Sequence, residues 1–535
     1  MKRKLMLTVV SLVLTAVFPL ATWATTGERF QADLPEGIKA WFIVTDEDNK
    51  LCQFGLNAND YVWTNPTIPQ GTTGKITIPS EVNGYTVMAL GWYALKDFTG
   101  ITEVVIPNTI TKLKPYALAN TGITSITIPS SVILMESTFI GCKQLSEVTL
   151  NNGITNIGGS AFSGCTALTS INIPETVETI GNYAFQNCTS LTSVSLPSAV
   201  ESIGKNAFSG CTSLTEAHLN KVKTMGEYAF SGCSALATVD LGTALTAVSD
   251  YAFYSCPIVS LDIPATVESI GDYAFSFSSL TSISFHEGGL KNIGNAAFAG
   301  SVPGFSASKD ISATSLELPN SVVSIGTGAF RYWKAITELT LPASLETIGN
   351  YAFSYCTALE SVAFGKKVKS IKDDAFNGST NITKVDIGDL TNWCNIDFDP
   401  DNRSASYTRG AAALTSNPLI YAHKIFLNGT ELDEITIPCG VTKIGLLAFA
   451  GCHRFDKLTI PPSVKEIGDY AFYDCTAMDN IVFKSTTTLE TVGAGAFYGC
   501  TGLMSVTLPT SVTTLGEYNQ EIKGETNVEI IPVSA

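Results

Sequence analysis

Apolar and polar positions alternate through most of this chain in a 23-residue unit, Ile-Gly-x-x-Ala-Phe-x-x-Cys-x-x-Leu-x-x-Val-x-Leu-Pro-x-x-Val. It reads cleanly from Ile157 to Val177 and from Ile180 to Val200. Within it, Leu168, Ile171 and Ile173 followed by Pro174 give the period-2 pattern of a strand ended by proline. Val177 and Ile180 supply a second apolar pair on the return, and Gly181 to Phe185 forms a tight helical or turn segment whose Phe plugs the interior. Self-similarity at this period means a solenoid, in which each unit buries its apolar face only against its neighbours. The pattern therefore predicts a mainly β repeat solenoid with short helical or 3-10 turns.

The Phe of each unit is the ruler. Phe139, Phe162, Phe185, Phe208, Phe230, Phe253, Phe275 and Phe298 follow at steps of 22 or 23, preceded by two degenerate units at Tyr93 and Tyr116. The next step, to Phe330, is 32 residues, which predicts an inserted surface loop near 302–313. Phe353 and Phe376 restore the period, 73 residues then separate Phe376 from Phe449, and Phe472 and Phe497 continue it. The expected organisation is an N-terminal cap over 25–74, a repeat array over 75–388, an irregular insertion or distorted repeats over 389–434, a second array over 435–518, and a C-terminal cap or tail over 519–535. In the irregular stretch, Asn428-Gly429 between Lys424–Phe426 and the Ile435–Ile437 strand predicts a two-residue hairpin turn.

Residues 1–24 carry Lys2, Arg3 and Lys4, then an uncharged apolar run, then small residues ending at Ala24. That is the pattern of a cleavable signal peptide, so the mature chain is expected to be secreted or held at a cell surface. No later stretch offers the ~18 uninterrupted apolar residues of a membrane span. Charged residues are 15% and the net charge is −16, so clustered Lys and Arg for nucleic acid are missing. Of the 13 cysteines, ten share one phase of the repeat, from Cys142 to Cys500, with Ser278 and Ser379 in the same slot of other units. One column of small buried side chains is the favoured reading, and cross-linking of adjacent rungs the alternative. Cys52, Cys394 and Cys439 lie off the column.

Units such as Ile203-Gly204-Lys205-Asn206-Ala207-Phe208-Ser209-Gly210-Cys211-Thr212-Ser213-Leu214 closely resemble the repeat of the BspA-like leucine-rich-repeat proteins of bacteria, over about residues 75 to 518. The resemblance implies a secreted or cell-surface leucine-rich-repeat solenoid, and adhesion to host extracellular proteins or to other bacteria. Its motif carries no catalytic residues to transfer. With the period, it predicts a right-handed superhelix of roughly 16 to 18 rungs with one parallel sheet along the concave face.

On that sheet one outward column runs Asn172, Ser195, His218, Asp240, Asp262, Ser284, and its neighbour runs Ser170, Ser193, Glu216, Thr238, Ser260, Ser282. Ser195, His218 and Asp240 stand on successive rungs like a nucleophile, base and acid. Rungs ~4.8 Å apart on an open sheet overshoot hydrogen-bond reach and lack an oxyanion hole, which makes a hydrated surface the better account. Glu216, His218, Asp240 and Asp262 form a candidate acidic binding patch, in which neighbouring carboxylates repel unless a cation or basic partner relieves them. Asp397, Asp399 and Asp401 space their carboxylates like a calcium loop, but Asn402 replaces the turn Gly and Thr408 the bidentate Glu. Tyr228, Tyr251 and Tyr273 precede the Ala-Phe of consecutive units, as a ladder packing between turns or as a sugar-stacking surface. His286, His423 and His453 stand alone, without ligand spacing.

The expected function is protein recognition without enzymatic activity or a cofactor, by a monomer whose partner is a protein such as a host extracellular matrix protein. A surface carbohydrate-binding protein is the alternative, and an enzyme or enzyme accessory with its site in 390–434 comes third.

Overall fold

A computed structural model describes residues 25–55, 66–300, 310–398 and 414–517. Residues 1–24, where a signal peptide is expected, and 518–535 lie outside the described residues. The chain is a β-solenoid of about 18 turns. Most turns contribute one strand from the Leu-x-x-Val-x-Leu-Pro stretch, pairing parallel and in register, while at Asn172 and Glu317 the same position is held by isolated bridges. Ser193–Ser195, Glu216–His218, Thr238–Asp240, Ser260–Ile263 and Ser282–Phe285 form one such run. Pairing at Asn172 links that run back to Glu147–Leu150, and hence to the strands before it. Proline closes the strand because it has no N–H to give, and its carbonyl starts the next turn: the Val177 amide donates to Pro174 at 3.0 Å.

Where one sheet is expected the structure has two parallel series. The second is built from two-residue strands such as Thr179–Ile180, Ser202–Ile203 and Thr224–Met225, paired rung to rung. A two-residue strand is too short to show an alternating pattern, so the sequence reads there only as a return.

The Ala-Phe segments are overlapping turns and not helices. In one rung the Ala184, Gln186 and Cys188 amides close turns on the Gly181, Tyr183 and Phe185 carbonyls, while Tyr183, Phe185 and Asn187 donate to Lys205, Ala207 and Ser209 of the next rung. Every second amide thus leaves the local turn for the neighbouring coil. Left-handed backbone at Tyr183 (φ 60°) and Asn187 (φ 57°) makes that alternation possible and rules out a continuous helix. The glycine before each Ala-Phe is required by contact: a Cβ on Gly204 would lie 2.4 Å from the Asn182 amide nitrogen of the preceding rung.

The interior is a spine of phenylalanines. Phe139 to Phe298 are fully buried and stack with ring centroids 5.0 to 5.4 Å apart. Burying each ring contributes on the order of 2 to 3 kcal/mol. The expected loop does not interrupt the stack, since Phe298 and Phe330 pack at 5.5 Å. All thirteen cysteines are free and only Cys439 is exposed. In the repeat column the thiol answers a specific need. Cys188 Sγ donates to the Phe162 carbonyl at 3.2 Å and Cys211 Sγ to the Phe185 carbonyl at 3.2 Å. Ser379 Oγ meets the Phe353 carbonyl at 2.8 Å, and Trp333, in the same slot, gives its indole N–H to the Phe298 carbonyl at 2.9 Å. Ser278 is the exception, buried with its hydroxyl unpartnered.

Before the array, Arg29–Asp33, Lys39–Asp46 and Leu51–Phe54 form an antiparallel meander whose last strand pairs parallel with Tyr85–Leu90. Residues 390–398 and 414–431 lie between the strands Lys384–Ile387 and Glu434–Thr436. The helices among the described residues are both here, at Leu390–Cys394 and Leu419–Ala422. The buried Trp393 sits edge-on to Phe364 at 5.2 Å and donates to the Ala448 carbonyl at 2.7 Å. Asn417 Nδ2 donates to the Leu447 carbonyl at 2.7 Å, and His423 Nδ1 to the Gly451 carbonyl at 2.9 Å. Those carbonyls belong to the first Ala-Phe turn of the second array, which lacks a regular coil before it. The Asn428-Gly429 turn is present, with φ of 49° and 84°, but its returning strand is Thr430–Glu431. Glu434–Thr436 instead starts the second array, parallel to Lys457–Ile460.

Candidate functional site

The outward columns of the long strands present Ser, Thr, Asn, Asp, Glu and His, because alternate residues of a strand face opposite ways and the inward ones are the core. In Glu216–His218, Ala217 is buried, Glu216 exposed and His218 half-exposed. Register sets Ser195 beside His218 and His218 beside Asp240. His218 Nδ1 lies 3.8 Å from Asp240 and its Nε2 3.7 Å from Glu216, within ion-pair range but beyond a hydrogen bond. The arrangement is an open charged stripe without the contact a base needs with its nucleophile.

The carboxylates of the stripe are relieved from within the chain. Asp240 accepts from the Gly242 amide at 2.9 Å. Asp262 accepts from the Ser284 hydroxyl and lies 3.0 Å from His286 Nε2 through both oxygens. His286 therefore does not stand alone, contrary to expectation, and it joins Glu216, His218, Asp240 and Asp262 as the fifth ionisable group of the patch. Its signal was available: it follows the outward Ser284 by two residues, on the rung after Asp262. All of these side chains are substantially exposed, where an ion pair contributes only about 0 to 1 kcal/mol.

His423 and His453 are also partnered. Their rings stack at 4.0 Å and 7°, and His453 Nε2 lies 3.2 Å from Asp474. Asp399 and Asp401 of the expected calcium loop lie outside the described residues, and Asp397 is paired through its backbone to the strand at Ser370. Among the described residues no three His, Cys, Asp or Glu side chains gather closely enough to hold a metal ion.

The tyrosines form the packing ladder. Tyr228, Tyr251 and Tyr273 stack at 4.6 Å, so their ring faces are spent on one another. A hollow of about 520 Å³ opens beside the irregular segment, lined among others by Cys394, Asp397, Lys443, Glu466 and Asp469. Its ionisable groups are already matched: Lys443 bridges Glu466 at 2.9 Å, Asp469 accepts from the Ala494 amide at 2.7 Å, and burial pushes the Cys394 thiol up to about 12. No helix of the described residues is long and apolar enough to cross a membrane.

Comparison with known proteins gives a family profile and several similar solved structures. The profile of the BspA type leucine rich repeat region (6 copies) matches residues 73–189, 133–243, 218–303, 304–398 and 421–528. Among solved structures, the chain is similar to a leucine-rich repeat protein from Bacteroides ovatus, at 22% identity and a TM-score of 0.44, over 94% of this chain and 99% of that one. It is also similar to a leucine rich cell surface protein from Faecalibacterium prausnitzii, at 23% identity and a TM-score of 0.35, over 85% and 95%. A third is the pneumococcal vaccine antigen PcpA, at 16% identity and a TM-score of 0.27, over 96% and 100%. No curated protein is similar enough to this chain to match.

Proposed function

We propose, from the premise that the chain belongs to the BspA-type leucine-rich-repeat family, that it is an exported surface protein that recognises other proteins without catalysing a reaction. Its partner is a host extracellular matrix protein or the surface of another cell, and it meets that partner through the outer face of the long strands. The observation that carries this reading is the in-register run of short polar side chains from Ser193–Ser195 to Ser282–Phe285, broken by the charged stripe of Glu216, His218, Asp240, Asp262 and His286. Short hydroxyls offer donors and acceptors at low entropic cost, and the stripe adds charge selectivity.

The test is surface plasmon resonance of the purified protein against a panel of extracellular matrix proteins, repeated with the Asp240→Ala/Asp262→Ala double variant. The reading expects saturable binding to at least one of them, weakened about tenfold or more in the variant. Unchanged binding by the variant removes the stripe from the interface. Tight binding on a glycan array with none to protein would move the function to carbohydrate.

A further inference from the structure

The irregular segment holds the second array by a small set of contacts, and one of them joins two imidazoles. His423 caps the Leu419–Ala422 helix in left-handed backbone, and its Nδ1–H is committed to the Gly451 carbonyl at 2.9 Å. His453 gives its own amide to the His423 carbonyl at 3.0 Å and lies against Asp474 of the next rung through Nε2. The rings are parallel, with centroids 4.0 Å apart. When both are neutral, each keeps one bare nitrogen, Nε2 on His423 and Nδ1 on His453. A proton on His453 puts charge into a half-buried stack, and Asp474 offsets only part of that cost. Two added protons set like charges face to face.

We propose that the His423–His453 stack is an acid-sensitive clasp that holds residues 417–423, themselves tied to the first array through the pairing of Ile425–Leu427 with Lys384–Ile387, against the first turn of the second array at neutral pH and releases that turn on acidification. Other charged groups nearby do not relieve a second proton. Lys424 follows His423 and is engaged with Glu431 at 3.5 Å, and Arg454, next to His453, adds a further positive charge. Burial first, then the neighbouring His423, hold the His453 imidazole below the ordinary histidine range, against the opposing pull of Asp474. The sign follows from linkage. A base whose folded value is depressed gives the folded state its full stability above the unfolded value near ~6.5, and loses it as the pH falls toward the folded value.

Loss of the clasp would also free the Asn417 contacts with Leu447 and Ala448, since these lie on the same segment. The consequence is local. The first array has no comparable histidine pair among its described residues, so it should remain folded while the junction opens. An exported protein entering an acidic compartment would hinge between its two arrays.

Hydrogen exchange of the full chain at pH 7.5 and pH 5.0, corrected for intrinsic rates, tests this. The expected result is at least about tenfold loss of protection in 417–423 and at His453 at the lower pH, with the peptide around Ser193–Ile203 and the Ile425–Leu427 strand unchanged. His453→Phe, which keeps a stacked ring without a titrating group, should retain protection at both pH values. Histidine NMR of the unmodified protein provides a reading independent of the variant: the His453 imidazole should protonate only at pH values where signals from 417–423 broaden. Equal protection of 417–423 and His453 at both pH values, or protonation of both rings without change in that segment, overturns the proposal.

Discussion

At the scale of single residues, the solenoid depends on side chains that match one backbone atom each. Phe208 lies between Phe185 and Phe230 at 5.2 and 5.0 Å, so truncation leaves a gap that the coil cannot close. Phe208→Ala should cost about 3 to 5 kcal/mol in chemical denaturation. The Cys slot obeys a different rule, because its role is donation. Cys211→Ser keeps a donor for the Phe185 carbonyl and should be nearly neutral. Cys211→Val has similar bulk but removes the second donor to that carbonyl, which still accepts from the Cys188 amide, and should cost about 0.5 to 1.5 kcal/mol in the same measurement. The thiols also make a statement about pH. Burial pushes Cys52, Cys356 and Cys452 up to about 12, so between the ordinary thiol value near ~8.5 and about 12 the unfolded chain sheds protons that the fold retains. Stability is therefore full below that range and declines as the pH rises through it. At pH 8 a thiol reagent should react promptly with Cys439 alone, and with all thirteen cysteines only after unfolding.

At the scale of elements, what the sequence revealed depended on how many residues each element uses. The long strands were legible from Leu168, Ile171 and Ile173, since period 2 needs four or more positions to show. The Thr179–Ile180 strands were not, because two residues carry no period and their pairing lies wholly between rungs. The helix-or-turn ambiguity at Gly181 to Phe185 is resolved by left-handed Tyr183, a conformation that nothing local in Tyr announces. The columns of Glu216, His218, Asp240 and Asp262 could be drawn from the period alone, whereas the Asp262–His286 contact crosses 24 residues and two columns. The irregular segment was legible only as a departure. Its role in donating to the carbonyls of Leu447, Ala448 and Gly451 comes from Asn417, Trp393 and His423, which share no spacing. Asn417→Ala should lower the stability of the second array by about 1 to 3 kcal/mol, seen as an earlier thermal transition with the main transition of the first array unmoved.

At the scale of the whole molecule, the stack grows lengthwise and never thickens, so its surface is set by repetition. Most coils add one outward pair of polar residues and one buried ring, and the interior stays packed from Phe298 to Phe330 and from Phe364 to Trp393. A recognition surface built this way can be long and specific at few points, which suits a large protein partner. About 18 coils at ~4.8 Å each give a body roughly 85 Å long. A compact globule of the same chain length would have a radius of gyration near ~24 Å and a symmetric distance distribution ending near about 60 Å. Small-angle X-ray scattering of the purified protein at neutral pH therefore bears most directly on the claim that both arrays form one continuous stack. A skewed distribution with a tail beyond about 85 Å is the predicted result. A symmetric distribution closing near about 60 Å, or two resolved peaks from separate lobes, would contradict it.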